Sequence, residues 1–220
     1  MPLAKPSDYL EDVCDILRTH WPKNRTVNVV CHGHSVPAGY FATPFVDTMN
    51  AYPHLLHQGI KHRFPYAVCN VIVTSIGGEN SASGAERYLE EVLCHRPDVI
   101  TIDYGLNDRG IGLEKAQNSW IKMIETSLER DVKVILMTPT PDKTQSTNYE
   151  DDDRHLLADH AEQIRSLASE YKIGLCDSLS VSLDYAAKED LSDLLSWSNH
   201  PNRRGHEIVA REILRWFPAG

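Results

Sequence analysis

A serine stands in a glycine-rich segment, residues 33–39 (GHSVPAG), directly after an apolar run. A serine at a turn from a strand into a helix is exposed and close to main-chain N–H groups, which is the setting that a serine nucleophile requires. Ser35 is therefore a candidate nucleophile. The same composition is also typical of an ordinary turn, so this segment alone does not decide between the two interpretations.

Two further segments offer hydrogen-bond donors that suit a developing oxyanion. The pair Gly77-Gly78 follows a second apolar run, and glycine lets the backbone approach a bound group closely, so the N–H of Gly78 is one candidate donor. Asn107 follows a third apolar run, and its side-chain amide is another candidate donor. The structural alternatives are a tight strand-to-helix connection for the glycines and a helix cap for the asparagine.

A histidine near the C-terminus is the candidate general base. His200 precedes Pro201, and a residue before proline is restrained, which favours a fixed imidazole that takes a proton from a nucleophile. The alternative is a surface histidine, since the sequence contains 11 histidines.

The elements that must position these residues alternate between short apolar runs and amphipathic segments. The apolar runs predict buried strands at 27–31, 67–73, 99–102, 132–137 and 173–176. The segments between and after them predict helices at 44–63, 85–96, 113–129, 153–171 and 204–216. Pro53 is expected to break the first helix. Alternating strands and helices predict a three-layer α/β/α fold with about five parallel strands.

The whole chain, residues 1–220, is expected to form one domain, with residues 1–22 as an N-terminal helical extension and 143–149 as a polar loop. In open α/β sheets, ligands bind beyond the carboxyl ends of the strands. The segments that contain Ser35, Gly78 and Asn107 each follow a predicted strand, so we expect them to meet His200 at one sheet edge.

The order of these four residues resembles the SGNH/GDSL hydrolase family, named for Ser, Gly, Asn and His in four sequence blocks. Residues 33–35 (GHS) resemble the first block, Gly78 the second, residues 105–108 (GLND) match the third, and His200-Pro201 resemble the last. The resemblance covers residues 27–217 and implies a flavodoxin-like fold and an esterase. It also implies an acyl-enzyme on Ser35, with His200 as base and the N–H groups of Ser35 and Gly78 and the amide of Asn107 as oxyanion donors.

The sequence departs from the family pattern at two positions. The family usually has aspartate before the nucleophile, where this chain has His34, interpreted as a residue that packs or contacts substrate. The family's triad acid usually stands three residues before the histidine, where this chain has Trp197, whose indole only donates hydrogen bonds. Three alternatives remain open: the Trp197 main-chain carbonyl orients His200, Asp193 does so, or no group does.

Supporting roles are expected for other polar residues of these segments. Asp103 and Asp108 are interpreted as supports of the Asn107 loop, and His206 as a packing residue. Arg109 is interpreted as a surface ion-pair residue, with contact to a polar substrate as the alternative.

Composition excludes several classes of partner. The formal net charge of −9 disfavours nucleic acid, which requires a basic footprint. Five cysteines without a CxxC pair indicate a reducing compartment, and neither a signal peptide nor an apolar run of membrane-spanning length is recognised. We therefore expect a cytoplasmic protein that acts on a small-molecule ester without a cofactor, and the oligomeric state is left open.

Two other functions compete with the esterase. The missing acid favours a catalytically weak or inactive binding module on the same fold. The pair His32 and His34 suggests a metal hydrolase, but the sequence has no His-x-x-x-His helix to complete such a site, so no metal is expected. Residues 33–39 also lack the GxGxxG spacing of a dinucleotide-binding loop.

Overall fold

The computed structural model describes residues 4–145 and 154–220. Within these residues the strands are, in chain order, β1 (Val27–Gly33), β2 (Tyr40–Ala42), β3 (Phe45–Val46), β4 (Cys69–Val73), β5 (Val99–Asp103), β6 (Lys133–Met137) and β7 (Gly174–Cys176). The order β4-β1-β5-β6-β7 forms one parallel sheet, while β2 and β3 pair as a separate antiparallel hairpin. All five predicted strands are present, which confirms the predicted fold class.

Helices cover both faces of the sheet. They are α1 (Glu11–Arg18), α2 (Ser35–Ala38), α3 (Tyr52–Arg63), α4 (Ser81–Glu86), α5 (Leu113–Leu128), α6 (Arg154–Tyr171), α7 (Ser178–Ala186) and α8 (Arg203–Leu214). One apolar cluster joins α1, α3 and α8 to the sheet, and a second joins α4 and α5 to the opposite face. Because both faces are covered, β1, β5 and β6 are buried along almost their whole length instead of at alternate residues. No helix within the described ranges combines the length and the apolar character that crossing a membrane requires.

Two helix predictions require correction. The predicted helix at 44–63 is wrong at its start, because β3 and a 3-10 turn (Thr48–Asn50) precede α3. Pro53 lies in the first turn of α3, where a missing N–H costs nothing, so it begins the helix instead of breaking it. The predicted helix at 85–96 begins in the last two residues of α4 and continues as a π turn (Tyr88–Val92) and a 3-10 turn (Leu93–His95).

Two further predictions are only partly covered by the described residues. The loop predicted at 143–149 begins as a 3-10 turn (Lys143–Gln145), and its remainder lies outside the described residues, as does the predicted helix start at 153. The helix of the N-terminal extension expected at residues 1–22 is α1, whose residues Val13, Cys14 and Leu17 are buried in the core.

The pairing of β1 with its neighbours aligns the strand ends that carry the candidate site. Gly33, the last residue of β1, pairs with Asp103, the last residue of β5. The pairing is so close that a Cβ on Gly33 would lie 2.4 Å from the Asp103 carbonyl oxygen, so only glycine fits there. On the other side, the Ile76 N–H donates to the Gly33 carbonyl at 3.1 Å. The segments after β1, β4 and β5 therefore emerge side by side.

Candidate active site

Ser35 begins the short helix α2, immediately after β1, and only 8% of it is exposed. The preceding residue, His34, caps this helix, because its Nδ1 accepts a hydrogen bond from the Val36 N–H at 3.3 Å. The helix ends at Gly39, whose φ of +94° is in the left-handed region. As the first helical residue, Ser35 has its main-chain N–H at the end of the helix where such groups lack intrahelical partners, which suits an oxyanion donor.

The His200 imidazole meets the Ser35 hydroxyl, although 165 positions separate the two residues. The distance from His200 Nε2 to Ser35 Oγ is 2.9 Å. His200 lies in the segment before α8, is 5% exposed, and stacks on Tyr40 with ring centroids 6.2 Å apart. The Ser196 N–H donates to the His200 carbonyl at 3.0 Å, which closes this segment into a tight turn. The geometry is that of a serine hydroxyl and its proton acceptor.

In the described part of the chain, the second ring nitrogen of His200, Nδ1, lacks the carboxylate partner that a catalytic triad provides. Nδ1 makes no hydrogen bond of ordinary geometry among residues 4–145 and 154–220, although the Phe41 carbonyl is close enough to the ring to offset part of the lowering of the His200 pKa by burial. Asp193 accepts a hydrogen bond from the Tyr185 hydroxyl at 3.1 Å and lies 3.9 Å from Arg204, contacts that hold it away from His200. The Trp197 side chain is 69% exposed, and its carbonyl makes no hydrogen bond to the ring. Neither group considered from the sequence contacts the imidazole in this structure.

The segment after β4 presents Gly78 to open space. Gly78 has a φ of +80°, and no atom lies within 4 Å of the position where its Cβ would stand. Its neighbour Gly77 packs against the Tyr40 ring, the same ring that stacks on His200. Asn107, after β5, donates from Nδ2 to the Glu79 carbonyl at 2.8 Å, and a primary amide retains a second N–H for another acceptor.

Buried charged side chains hold the segments that follow β4 and β5 in place. The Glu79 carboxylate receives Arg87 Nε at 2.7 Å and the Tyr104 hydroxyl at 2.9 Å. Asp108 is fully buried and accepts from the Ser81 N–H at 2.8 Å and from Trp120 Nε1 at 2.7 Å. Since an unpaired buried donor is costly, these contacts hold the exits of β4 and β5 together. The interpretation of Asp108 as a support agrees with this geometry.

His34 and Asp103 occupy positions that the sequence analysis did not foresee. The His34 ring is fully buried, with Nδ1 3.3 Å from Ser35 Oγ and Nε2 3.4 Å from Asp103 Oδ1. His34 therefore contacts the candidate nucleophile, and Asp103 faces His34. The sequence pattern alone could not have shown this contact, because it depends on the pairing of β1 with β5 and on the register that places Gly33 opposite Asp103.

His32 does not join His34 in a metal site. Its ring is buried, with Nδ1 3.0 Å from Thr74 Oγ1 and Nε2 3.0 Å from the Tyr104 hydroxyl. Burial, reinforced by the charge of Arg87, lowers the pKa of His32 to about 4, so the ring is neutral at pH 7. Within the described ranges, no three His, Cys, Asp or Glu side chains are grouped so that they could hold a metal ion.

Two more residues for which the sequence predicted a role, His206 and Arg109, occupy well-defined positions. His206 is fully buried, accepts a hydrogen bond from the Tyr52 N–H at Nδ1 and packs on Phe41, as expected of a packing residue. Arg109 donates from Nη2 to Asp142 at 2.7 Å, an ion pair whose carboxylate is buried. That pair lies partly within the protein and not on its surface as expected.

Comparisons with known proteins agree with the fold and the motif order. Residues 31–208 match the GDSL-like lipase/acylhydrolase family, so the chain belongs to that family. This membership confirms the predicted class, a carboxylic ester hydrolase. Among curated proteins, the chain is 27% identical over 169 residues to an acetylxylan esterase of Geobacillus stearothermophilus, covering 69% of this chain and 74% of that protein.

Solved structures show the same fold. A crystal structure of an acetylxylan esterase from Geobacillus stearothermophilus matches with a TM-score of 0.75 at 20% identity, over 87% of this chain and 94% of the other. A putative GDSL-like lipase from Parabacteroides merdae matches with a TM-score of 0.75 at 16% identity, over 88% and 96%. Structures described as catalytic mutants of the Geobacillus enzyme replace a serine, an aspartate or a histidine with alanine.

The environment of His200 predicts how the rate of ester hydrolysis depends on pH. Burial lowers its pKa and so does the neighbouring His34, while the Phe41 carbonyl acts in the opposite direction. A lowered pKa keeps the imidazole neutral, and able to accept a proton, down to pH values below the usual value of about 6.5. We therefore expect kcat/KM for p-nitrophenyl acetate to rise with pH and reach half its plateau below pH 6.5.

Initial rates between pH 4 and 8 check this expectation, with circular dichroism at each pH to confirm that the protein remains folded. A half-maximum above pH 6.5 in a folded protein would contradict the assigned environment of His200.

Proposed function

We propose that this chain is a serine esterase that removes acetyl groups from a carbohydrate ester, with Ser35 as nucleophile and His200 as general base. The 2.9 Å contact between Ser35 Oγ and His200 Nε2 is the observation that carries the proposal. It joins the first and last family blocks in the geometry that nucleophilic catalysis requires.

Acylation begins when His200 Nε2 takes the Ser35 proton and Oγ attacks the acetyl carbonyl carbon. The carbonyl electrons move to oxygen, and the oxyanion accepts hydrogen bonds from the N–H groups of Ser35 and Gly78 and from the free N–H of Asn107. Each such donor typically contributes about a hundredfold to a thousandfold in rate. The bond to the sugar oxygen then breaks, and His200 gives its proton to that oxygen.

Deacylation repeats these steps with water as the nucleophile. His200 takes a proton from the water, which attacks the acetyl-Ser35 carbonyl, and the same donors hold the oxyanion. The bond to Ser35 Oγ breaks, acetate leaves, and Ser35 recovers its proton from His200.

The carbohydrate part of the proposal is supported by an exposed tryptophan beside the catalytic loop. Trp197 stands three residues before His200, is 69% exposed, and borders a cavity of about 280 Å³. The remaining lining residues are polar or aliphatic: Lys143, Asp190, Leu191, Ser192, Leu195 and Ser196. An apolar ring beside polar groups suits the apolar face and the hydroxyls of a sugar, and the similarity to acetylxylan esterase favours the same class of substrate.

A reducing, cytoplasmic setting completes the proposal. All five cysteines are unpaired, and four of them, Cys14, Cys31, Cys69 and Cys176, are buried. Free buried thiols are typical of proteins that stay in a reducing compartment.

Replacement of either member of the proposed pair tests the mechanism. In Ser35→Ala and His200→Ala, steady-state turnover of p-nitrophenyl acetate should fall by at least about a thousandfold, because acyl-enzyme turnover requires both groups. The matched controls Ser119→Ala and His62→Ala change a half-buried serine and an exposed histidine outside the site and should keep full activity. Wild-type activity in Ser35→Ala would refute the proposed nucleophile.

Replacement of Trp197 tests the class of substrate separately. Trp197→Ala should raise KM for an acetylated xylooligosaccharide by about tenfold, while kcat/KM for p-nitrophenyl acetate changes little, because only the sugar uses the ring. Trp21→Ala, which removes an 83% exposed tryptophan in the segment before β1, is the control. If Trp197→Ala leaves the oligosaccharide KM unchanged, the ring is not a sugar platform.

A further inference from the structure

The nucleophile contacts two imidazoles, and only the unexpected one has a carboxylate behind it. Ser35 Oγ lies 2.9 Å from His200 Nε2 and 3.3 Å from His34 Nδ1. Neither His200 Nδ1 nor His34 Nε2 makes a hydrogen bond of ordinary geometry in the part of the chain that the structure describes, but His34 Nε2 lies 3.4 Å from a carboxylate oxygen, Asp103 Oδ1. The chain departs from the family pattern by having a histidine at position 34 and, among the described residues, no acid beside His200. Both departures therefore concern residues that contact the Ser35 hydroxyl.

The charge of Asp103 determines where His34 holds its proton. Asp103 is 1% exposed, and neither of its carboxylate oxygens accepts a hydrogen bond within residues 4–145 and 154–220. A buried carboxylate without a partner is costly, and His34 Nε2 lies within ion-pair distance, so the stable arrangement has the proton on Nε2. Independently, the Val36 N–H donates to Nδ1, which requires a lone pair on that nitrogen.

With its proton on Nε2, His34 has a single lone pair on Nδ1, and the Val36 N–H and the Ser35 hydroxyl, each 3.3 Å away, are alternative donors to it. This is the state in which a carboxylate-backed imidazole accepts a proton from a serine. The His34 ring has no exposed surface, whereas Ser35 keeps 8% exposure, and a leaving alcohol and an attacking water reach the nucleophile from solvent. His34 therefore reaches the nucleophile and not the leaving group.

We propose that His34, positioned by Asp103, is a second general base for Ser35, which serves acylation by esters whose leaving group departs as an anion but does not serve deacylation. This proposal rests on the proposed function of Ser35. In the step concerned, His34 Nδ1 gives up its hydrogen bond from the Val36 N–H and takes the Ser35 proton, while Oγ bonds to the acyl carbon and the carbonyl electrons move to oxygen. The bond to the leaving oxygen then breaks, and p-nitrophenolate departs as an anion that needs no proton. The imidazolium is stabilised by Asp103, and acetyl-Ser35 remains.

Removal of His200 isolates this step. His200→Ala should release about one equivalent of p-nitrophenolate per chain in a burst and then stop, because His34 supports acylation and nothing activates the deacylating water. Adding His34→Asn should lower the burst rate constant about a hundredfold, a typical contribution of a general base. Asparagine is chosen because its side-chain oxygen can still cap the Val36 N–H.

Measuring the effect of His34→Asn on the acylation rate both with and without His200 separates a catalytic role of His34 from a structural one. If the two histidines are alternative bases, His34→Asn must slow acylation far more in the His200→Ala background than in the otherwise wild-type protein. A merely structural role would slow both by the same factor. Asp103→Asn should follow the same pattern with a smaller effect, and it decides the question if His34→Asn fails to fold in thermal unfolding.

Equal burst rates in His200→Ala and in the double variant, or equal factors in both backgrounds, would overturn the role of His34 and leave the esterase proposal intact. Ser35→Ala is the control for the proposed function itself and should show no burst. A burst in Ser35→Ala would remove the basis of both proposals, so the two failures are distinguishable.

Discussion

The register between β1 and β5 is the constraint on which the site depends. Gly33 and Asp103 pair at the ends of these strands, so closely that no other residue than glycine fits opposite the Asp103 carbonyl. This pairing sets Ser35, two residues later, above the end of the sheet and brings the Asp103 carboxylate to the ring of His34. A shift of one position would turn these side chains to opposite faces and separate them.

Buried polar groups then fix the loops that the register has brought together. Asp108 satisfies the Ser81 N–H and the Trp120 indole, and Glu79 is held by Arg87 and Tyr104. Loss of any one of these contacts would lower the stability of the fold, because leaving a buried polar group without its partner costs about 1–3 kcal/mol of folding free energy. The rigidity of the site therefore derives from hydrogen bonds between buried polar groups at the carboxyl ends of the strands. The apolar clusters on the two faces stabilise the sheet itself.

Strand positions were predictable because parallel strands covered on both faces are continuously apolar, and this pattern is distinctive. The β2–β3 hairpin was not, because it is short, and its residues Phe45 and Val46 are exposed, so no burial pattern marks it. The convergence of Ser35 and His200 followed from family motif order and strand ends. The His34–Asp103 contact required the strand register, which hydrophobic pattern alone does not provide.

Labelling of Ser35 by a serine-directed phosphonate tests the central claim most directly. An activated serine should take up one phosphonyl group per chain, located by mass spectrometry on the peptide that contains Ser35, and Ser35→Ala should take up none. Labelling should also be slower in His200→Ala, since the 2.9 Å contact that activates the hydroxyl is then lost. No uptake by the wild-type protein, or uptake at another residue, would contradict the account and favour a binding module on the same fold.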